Sequence, residues 1–144
     1  MQAAGRNVQL VVVNAGTDSD LETAFASFSQ HRVGAVLVGP SNFYNQRREQ
    51  LAALAARHTL PTIYPNRNFA LAGGLMSYGG TGDDVLAMHK VGIYTARILK
   101  GDKPADLPVE QAVRIGLTIN LKAAKALGIE FPTGLLVRAD EVIQ

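Results

Sequence analysis

The chain has no cysteine among its 144 residues. That removes disulfides and thiolate chemistry, and it fits a reducing or an oxidising compartment equally. It has no concentration of basic charge. Fourteen Lys and Arg against 12 Asp and Glu leave a net charge of +2 with no Lys/Arg run, so nothing argues for a nucleic-acid partner. It also lacks any apolar run near the roughly 18 residues a membrane-crossing helix needs. The opening "MQAAGRNVQ" has no apolar core of the kind an export signal carries, so the sequence as it stands is expected to lack one. With 47% hydrophobic and 18% charged residues, what remains is one ordinary globular domain. A chain of this size buries roughly 70% of the surface its unfolded form exposes, which is enough for a real core.

What is present is a repeat. "VQLVVVN" (8–14), "GAVLVG" (34–39) and "PTIY" (61–64) are short apolar runs that read as buried strands, and their last residues, Asn14, Gly39 and Tyr64, are evenly spaced. The two intervals between them read as helices. In the first, Thr17 can cap with Asp20 three residues on, and Leu21, Ala24, Phe25 and Phe28 form an inner face. In the second, Ser41 or Asn42 can cap a helix with Tyr44, Leu51, Leu54 and Ala55 inside, ending near His58. "LMSY" (75–78) predicts a fourth strand. Asp83 to Lys100 predicts a long helix closed by Gly101, with an apolar surface broad enough to pack on two sides. "GDKPADLP" (101–108) reads as a loop. "VRIGLTIN" (113–120) alternates like an edge or antiparallel strand with one wet face, and Asn120 and Gly128 bracket a short helix. Such alternation predicts an α/β fold, a mostly parallel doubly wound sheet covered on both faces in a Rossmann-like three-layer α/β/α arrangement.

In open α/β sheets ligands sit beyond the carboxyl ends of the strands. Here those ends offer amides, hydroxyls, two tyrosines, one guanidinium and glycines, but no histidine, cysteine or carboxylate. Such a set can hold a small molecule and has little with which to transform one. Asp18 and Asp20 suit the first turn of a helix. His31 and His58 fall at helix ends that lead into strands, on the opposite edge of the sheet, and no histidine pair has the spacing of a helical metal site. No metal or cofactor is expected. Gly79-Gly80-Thr81-Gly82 stands where a phosphate loop would, yet Asp83 and Asp84 follow it where an anion would need positive potential, so a strand-to-helix turn is the better reading. The glycines then serve to bring Ser77 and Tyr78 to the cleft.

Three stretches, "LPTIYPNRNFALAGGLMSYG", "GIYTARILKGDKPADLPVEQ" and "LTINLKAAKALGIEFPTGLLVRADEVI", resemble the C-terminal half of the ABC-transporter substrate-binding family related to tryptophan- and tyrosine-binding lipoproteins. The likeness runs through nearly the whole chain. It implies a lobe of the periplasmic-binding-protein type I fold, no catalytic activity, an extracytoplasmic location, and delivery of a small solute, amino-acid-like or other, to an ABC permease. The chain departs from the family pattern at Pro65-Asn66-Arg67-Asn68 and at "AVRIG" (112–116). By this resemblance residues 1–144 are a single incomplete ligand-binding lobe, with a β-α core over 1–100 and a crossing C-terminal segment over 101–144. By the same resemblance the first lobe and the opening strand of the second are expected to be absent. Other readings are the effector-binding core of a sugar-repressor-like regulator, which would carry a DNA-binding helix-turn-helix, and a small α/β enzyme, which would need a base or nucleophile at the strand ends.

The expected ligand-binding residues are Asn14, Ser41, Asn42, Tyr64, Arg67, Ser77 and Tyr78. The tyrosines would stack on or close over an apolar or aromatic part of the solute, and Arg67 would either pair with a carboxylate or stand as a solvated loop arginine. A last expectation follows from the order 2-1-3-4-5, in which the absent strand would lie between "VQLVVV" and "AVLVG". Each buried unpaired backbone group costs about 1–3 kcal/mol, so the chain is expected to fill that gap as a homo-oligomer, most simply a dimer, unless the sheet closes up around it.

Overall fold

The computed structural model describes residues 8–80, 84–109 and 115–144. Helix α1, Asp18–Gln30, starts as its sequence predicts: Thr17 Oγ1 accepts from the Asp20 N–H, and the Asp20 carboxylate reaches back to the Thr17 N–H. Strand β1 follows, then the short α2, Asn42–Gln46, and α3, Arg48–Arg57. The predicted second helix is thus broken in two at Arg47. Ser41 takes its N-cap position without a side-chain cap bond.

Helix α1 ends on His31 and then Arg32, and α3 ends on His58 and then Thr59, with Arg32 and Thr59 both in the left-handed region at φ 51° and 53°. In each case the next residue bonds back across the turn, Val33 N–H to Phe28 O and Leu60 N–H to Ala55 O. The same stop recurs three more times with glycine at the left-handed position, at Gly73, Gly101 and Gly128.

Five strands form one sheet in the order β1 (Val36–Leu37), β2 (Thr62–Asn66), β3 (Met76–Gly80), β4 (Ile115–Asn120), β5 (Glu141–Ile143). β1, β2 and β3 are mutually parallel, β4 runs antiparallel to β3, and β5 runs parallel to β4. The fold is α/β and mostly parallel, as predicted. Between β2 and β3 the register shifts at Pro65, a residue with no N–H to donate to a ladder. There Gly79 lies so close to β2 that a Cβ on it would stand 2.0 Å from Pro65 O.

The main core cluster lies on the Tyr64 face of the sheet. Leu21 and Phe25 of α1, Leu51, Leu54 and Ala55 of α3, and Val36, Val38 and Tyr64 of the sheet strands and their continuations pack together. They close on a helix that the apolar pattern does not single out: α4, Arg67–Leu71. Its Phe69 is fully buried and stacks on the Tyr64 ring at 4.8 Å and 12°. Gly74, just beyond α4, leaves room for that ring, since a Cβ there would meet Tyr64 Cε2 at 2.6 Å.

Three expectations need correction. Residues 8–14 do not form a buried strand: Gln9 makes a single bridge, and Val12 is 83% exposed. An apolar run becomes a strand only where a neighbour completes its ladder, and among the described residues this one makes only the Gln9 bridge. β4 is antiparallel as expected, but it is not an edge strand, since it lies between β3 and β5, and it has no wet face, being buried from Gly116 to Asn120. Helix α5, Asp84–Leu99, is present, but it does not pack on two sides: Val91, Ile93 and Ile98 are exposed and Leu99 is 83% exposed. It is tied instead to its own return, a 3-10 turn at Pro104–Asp106, through Tyr94 Oη donating to Pro108 O and Arg97 pairing with Asp102. The β5 strand and the short helix α7, Thr133–Leu136, were not predicted; helix α6, Leu121–Ala126, was, with its Asn120 cap and Gly128 stop.

Candidate ligand-binding site

The carboxyl ends of β1, β2 and β3 carry the candidate site. Strand β1 gives way to Gly39, Pro40 and α2. β2 ends on Asn66, which caps α4 by accepting the Asn68 N–H at 3.1 Å. β3 ends on Gly80; Thr81 and Gly82, the second half of the glycine loop, and Asp83 lie outside the described residues.

The predicted residues divide into two groups. Asn42 is exposed on the first turn of α2, Ser41 is half-buried beside it, and Asn14 is exposed next to Ala15, whose N–H donates to Tyr44 Oη at 3.4 Å. Tyr78 is 61% exposed, but in mid-strand, two residues before the end of β3. Ser41 and Asn42 thus stand beyond the end of β1, whereas Asn14 follows a stretch that forms no strand and Tyr78 lies within one.

Tyr64, Ser77 and Arg67 do not do what was predicted of them. β2 runs two residues beyond Tyr64, which places that side chain in mid-strand on the core face, fully buried, with Oη donating to Leu51 O at 3.4 Å. Burial pushes its phenol up to about 12. Ser77 pairs with Tyr64 across the ladder and is buried on the same face. Arg67 already has a carboxylate, that of Glu141 on β5, with Nε to Oε2 at 2.5 Å and Nη2 to Oε1 at 2.7 Å. The Arg67 guanidinium holds the Glu141 carboxyl below its ordinary range. Both readings of Arg67, ligand clamp and solvated loop, therefore give way to a structural clamp between α4 and β5.

Residues that spacing did not single out complete the corner. Asn45 on α2 accepts from Asn66 Nδ2 at 3.0 Å, joining the ends of β1 and β2 through two amides. Phe43 and Tyr44 meet edge to face at 5.6 Å, and Arg47 lies over the Phe43 ring at 4.8 Å while pairing with Asp18 at 2.5 Å. Asp20 is held to the Gly16 and Thr17 N–H groups, which lower its pKa, so it serves the helix start. A better signal was available for α4: Asn66 as N-cap, Phe69 and Ala70 inward, Gly73 as the stop. For Asn45 there was none, because only the packing of α2 against the end of β2 reveals it.

The remaining features point away from chemistry. His31 Nδ1 contacts Ser27 O and His58 Nδ1 contacts Ser29 Oγ, both at helix ends on the opposite edge of the sheet. Among the described residues no group of three or more His, Cys, Asp or Glu could hold a metal ion. A cavity of 140 Å³ also opens on that far edge, lined by Ala52, Ala55, Leu60, Thr62, Leu75 and Leu127 among others. Thr62 turns its hydroxyl to Leu60 O, so the cavity has little with which to orient a polar solute. No helix among the described residues is long and apolar enough to cross a membrane.

An open, mostly parallel α/β sheet is an architecture in which small molecules are held beyond the strand ends. The chain belongs to the ABC transporter substrate binding protein family, which matches residues 1–143. It is a family of solute-binding proteins and not an enzyme class. No curated protein matches the chain. Among solved structures it is similar to a conserved domain protein of Vibrio cholerae O1 biovar eltor, with TM-score 0.74 and 24% identity over 86% of this chain and 41% of that one. It is also similar to the ABC domain in complex with L-Trp from Streptococcus pneumoniae, with TM-score 0.71 and 26% identity over 87% and 40%. A ligand-free, open substrate-binding protein with adhesive properties from Clostridium difficile aligns with TM-score 0.63 and 20% identity over 96% and 45%. The chain thus spans well under half the length of each.

Proposed function

We propose that this chain is a ligand-binding lobe that takes up a small organic solute, amino-acid-like in the first instance, at the carboxyl ends of β1, β2 and β3, for delivery to an ABC permease outside the cytoplasm. The observation that carries the reading is the family match over residues 1–143. The similar L-Trp complex makes an aromatic amino acid the first solute to try. Asn14, Ser41, Asn42 and Tyr78 remain the proposed contacts, joined by Asn45 and Asn66. The lobe carries out no reaction, for the strand ends hold no positioned base or nucleophile among the described residues.

A single lobe grips only part of a solute that a two-lobed protein encloses. Micromolar binding corresponds to about −8 kcal/mol, and half of that corresponds to roughly millimolar binding. Calorimetry with the twenty amino acids should find weak binding of one or a few; submicromolar binding by this chain alone would contradict the incomplete-lobe reading.

Self-association belongs to the same proposal. β1 is the end strand among the described residues and only two residues long, with Leu37 77% exposed, while the apolar stretch 8–13 makes only the Gln9 bridge among them. An extended apolar segment and a short sheet end in one chain suit two-fold pairing between copies. Light scattering at micromolar concentration should give the dimer mass, and a monodisperse monomer would count against it.

A further inference from the structure

We propose that Asn45 reads the solute, and that what it reads is a hydrogen-bond acceptor, a carboxylate or carbonyl oxygen. The inference rests on the strand ends being the solute site. It starts from a donor whose identity is certain, the backbone N–H of Asn68, which gives its hydrogen to Asn66 Oδ1 at 3.1 Å. That bond fixes the orientation of the Asn66 amide, since a carboxamide presents its oxygen or its NH2 to a given side but not both. With its oxygen engaged by the cap, Asn66 can offer only its nitrogen to α2, and Nδ2 donates to Asn45 Oδ1 at 3.0 Å.

The second amide is thereby fixed in turn. Asn45 has its side-chain oxygen engaged and its NH2 left over, and among the described residues no acceptor meets that Nδ2, which is not buried. The Asn45 main-chain oxygen is engaged as well, by Arg48 Nη1 at 3.2 Å. The polar atom of this residue still without a partner is therefore a donor, with a guanidinium close by. A ligand amine here would set donor against donor, whereas an oxygen, above all a charged one, completes the geometry. The helix cap of α4 thus sets the polarity of a recognition corner on α2, one strand away. The solute class it selects carries a carboxylate or carbonyl on a body that the exposed Tyr78 ring can cover.

The test compares L-tryptophan with tryptamine, which has the same ring and amine but no carboxylate, by calorimetry and amide chemical shifts on the 144-residue chain. L-Tryptophan should bind about tenfold more tightly or better. Asn45→Asp keeps the oxygen that Asn66 needs and replaces the NH2 with an acceptor, so it should erase the preference while tryptamine affinity holds or rises; its melting curve shows whether it is folded. Equal binding of the two probes by the unaltered chain, or an undiminished preference in the folded Asp variant, would overturn the assignment while leaving the strand-end site standing. If neither probe nor any other amino acid shifts residues at the strand ends, the site itself is wrong and the assignment falls with it.

Discussion

Replacing Gly79 by alanine adds one methyl group and tests the tightest backbone approach in the sheet. A Cβ at that position would stand 2.0 Å from Pro65 O and 2.9 Å from Pro65 C, and both are main-chain atoms that no rotamer change can move aside. The two strands must separate where the register already shifts, next to the Tyr64–Ser77 pair on the core face. Overpacking typically costs about 1–3 kcal/mol, and a clash with main chain belongs at the top of that range. For a domain of this size 3 kcal/mol lowers the melting temperature by roughly 6–12 °C. Gly80 is the control: it is the next residue, nothing lies within 4 Å of its Cβ position, and Gly80→Ala should melt within about 1 °C of the parent. Circular dichroism at one fixed protein concentration measures both. Equal melting of Gly79→Ala and Gly80→Ala would refute the close approach, and with it the explanation of why glycine follows Tyr78.

Thr59 is a β-branched residue at φ 53°, so Thr59→Gly should raise stability by about 0.5–1 kcal/mol, with a smaller gain for Arg32→Gly; a loss in urea unfolding would mean the left-handed turn is not strained. Glu141 has its pKa lowered in the fold by Arg67, so its contribution is present above the unfolded carboxylate range of about pH 4.3 and is lost as pH falls through the lower folded value. Both side chains are about a third exposed, so the effect is modest; Glu141→Gln should flatten the fall in stability between about pH 5 and 3, and an unchanged slope would deny the pair any role. Tyr64→Ala should cost about 3–5 kcal/mol by emptying the stack on Phe69, whereas Tyr78→Ala should leave melting unchanged and weaken solute binding; the reverse pattern would exchange their roles.

The parts of the fold legible in the sequence were those fixed by local chemistry. The Thr17–Asp20 capping box, the helix stops at His31 and His58, and the Asn120 cap each depend on residues a few positions apart, and each appears where its pattern put it. Strand lengths were not legible, because they depend on what lies alongside. "PTIY" ends on paper at Tyr64, but parallel pairing with β3 carries β2 on to Asn66, and those two residues move Tyr64 from rim to core. Residues 8–14 show the same dependence in reverse, since their β-branched run makes only the Gln9 bridge among the described residues. Arg67 was located correctly at a strand end and given the wrong partner, because Glu141 lies far away in sequence and only the crossing of α4 over the sheet brings the two together.

The central claim is that solute binds at the carboxyl ends of β1, β2 and β3, and an amide chemical-shift titration of the labelled chain tests it most directly. With L-tryptophan first and the other amino acids after it, at concentrations up to about 10 mM, the account predicts fast-exchange shifts centred on Gly39 to Asn45, Asn66 and Tyr78 to Gly80, saturating in the roughly millimolar range. Shifts centred instead on the opposite edge, around His31, His58 and Gly73, or no shifts with any of these solutes, would contradict it.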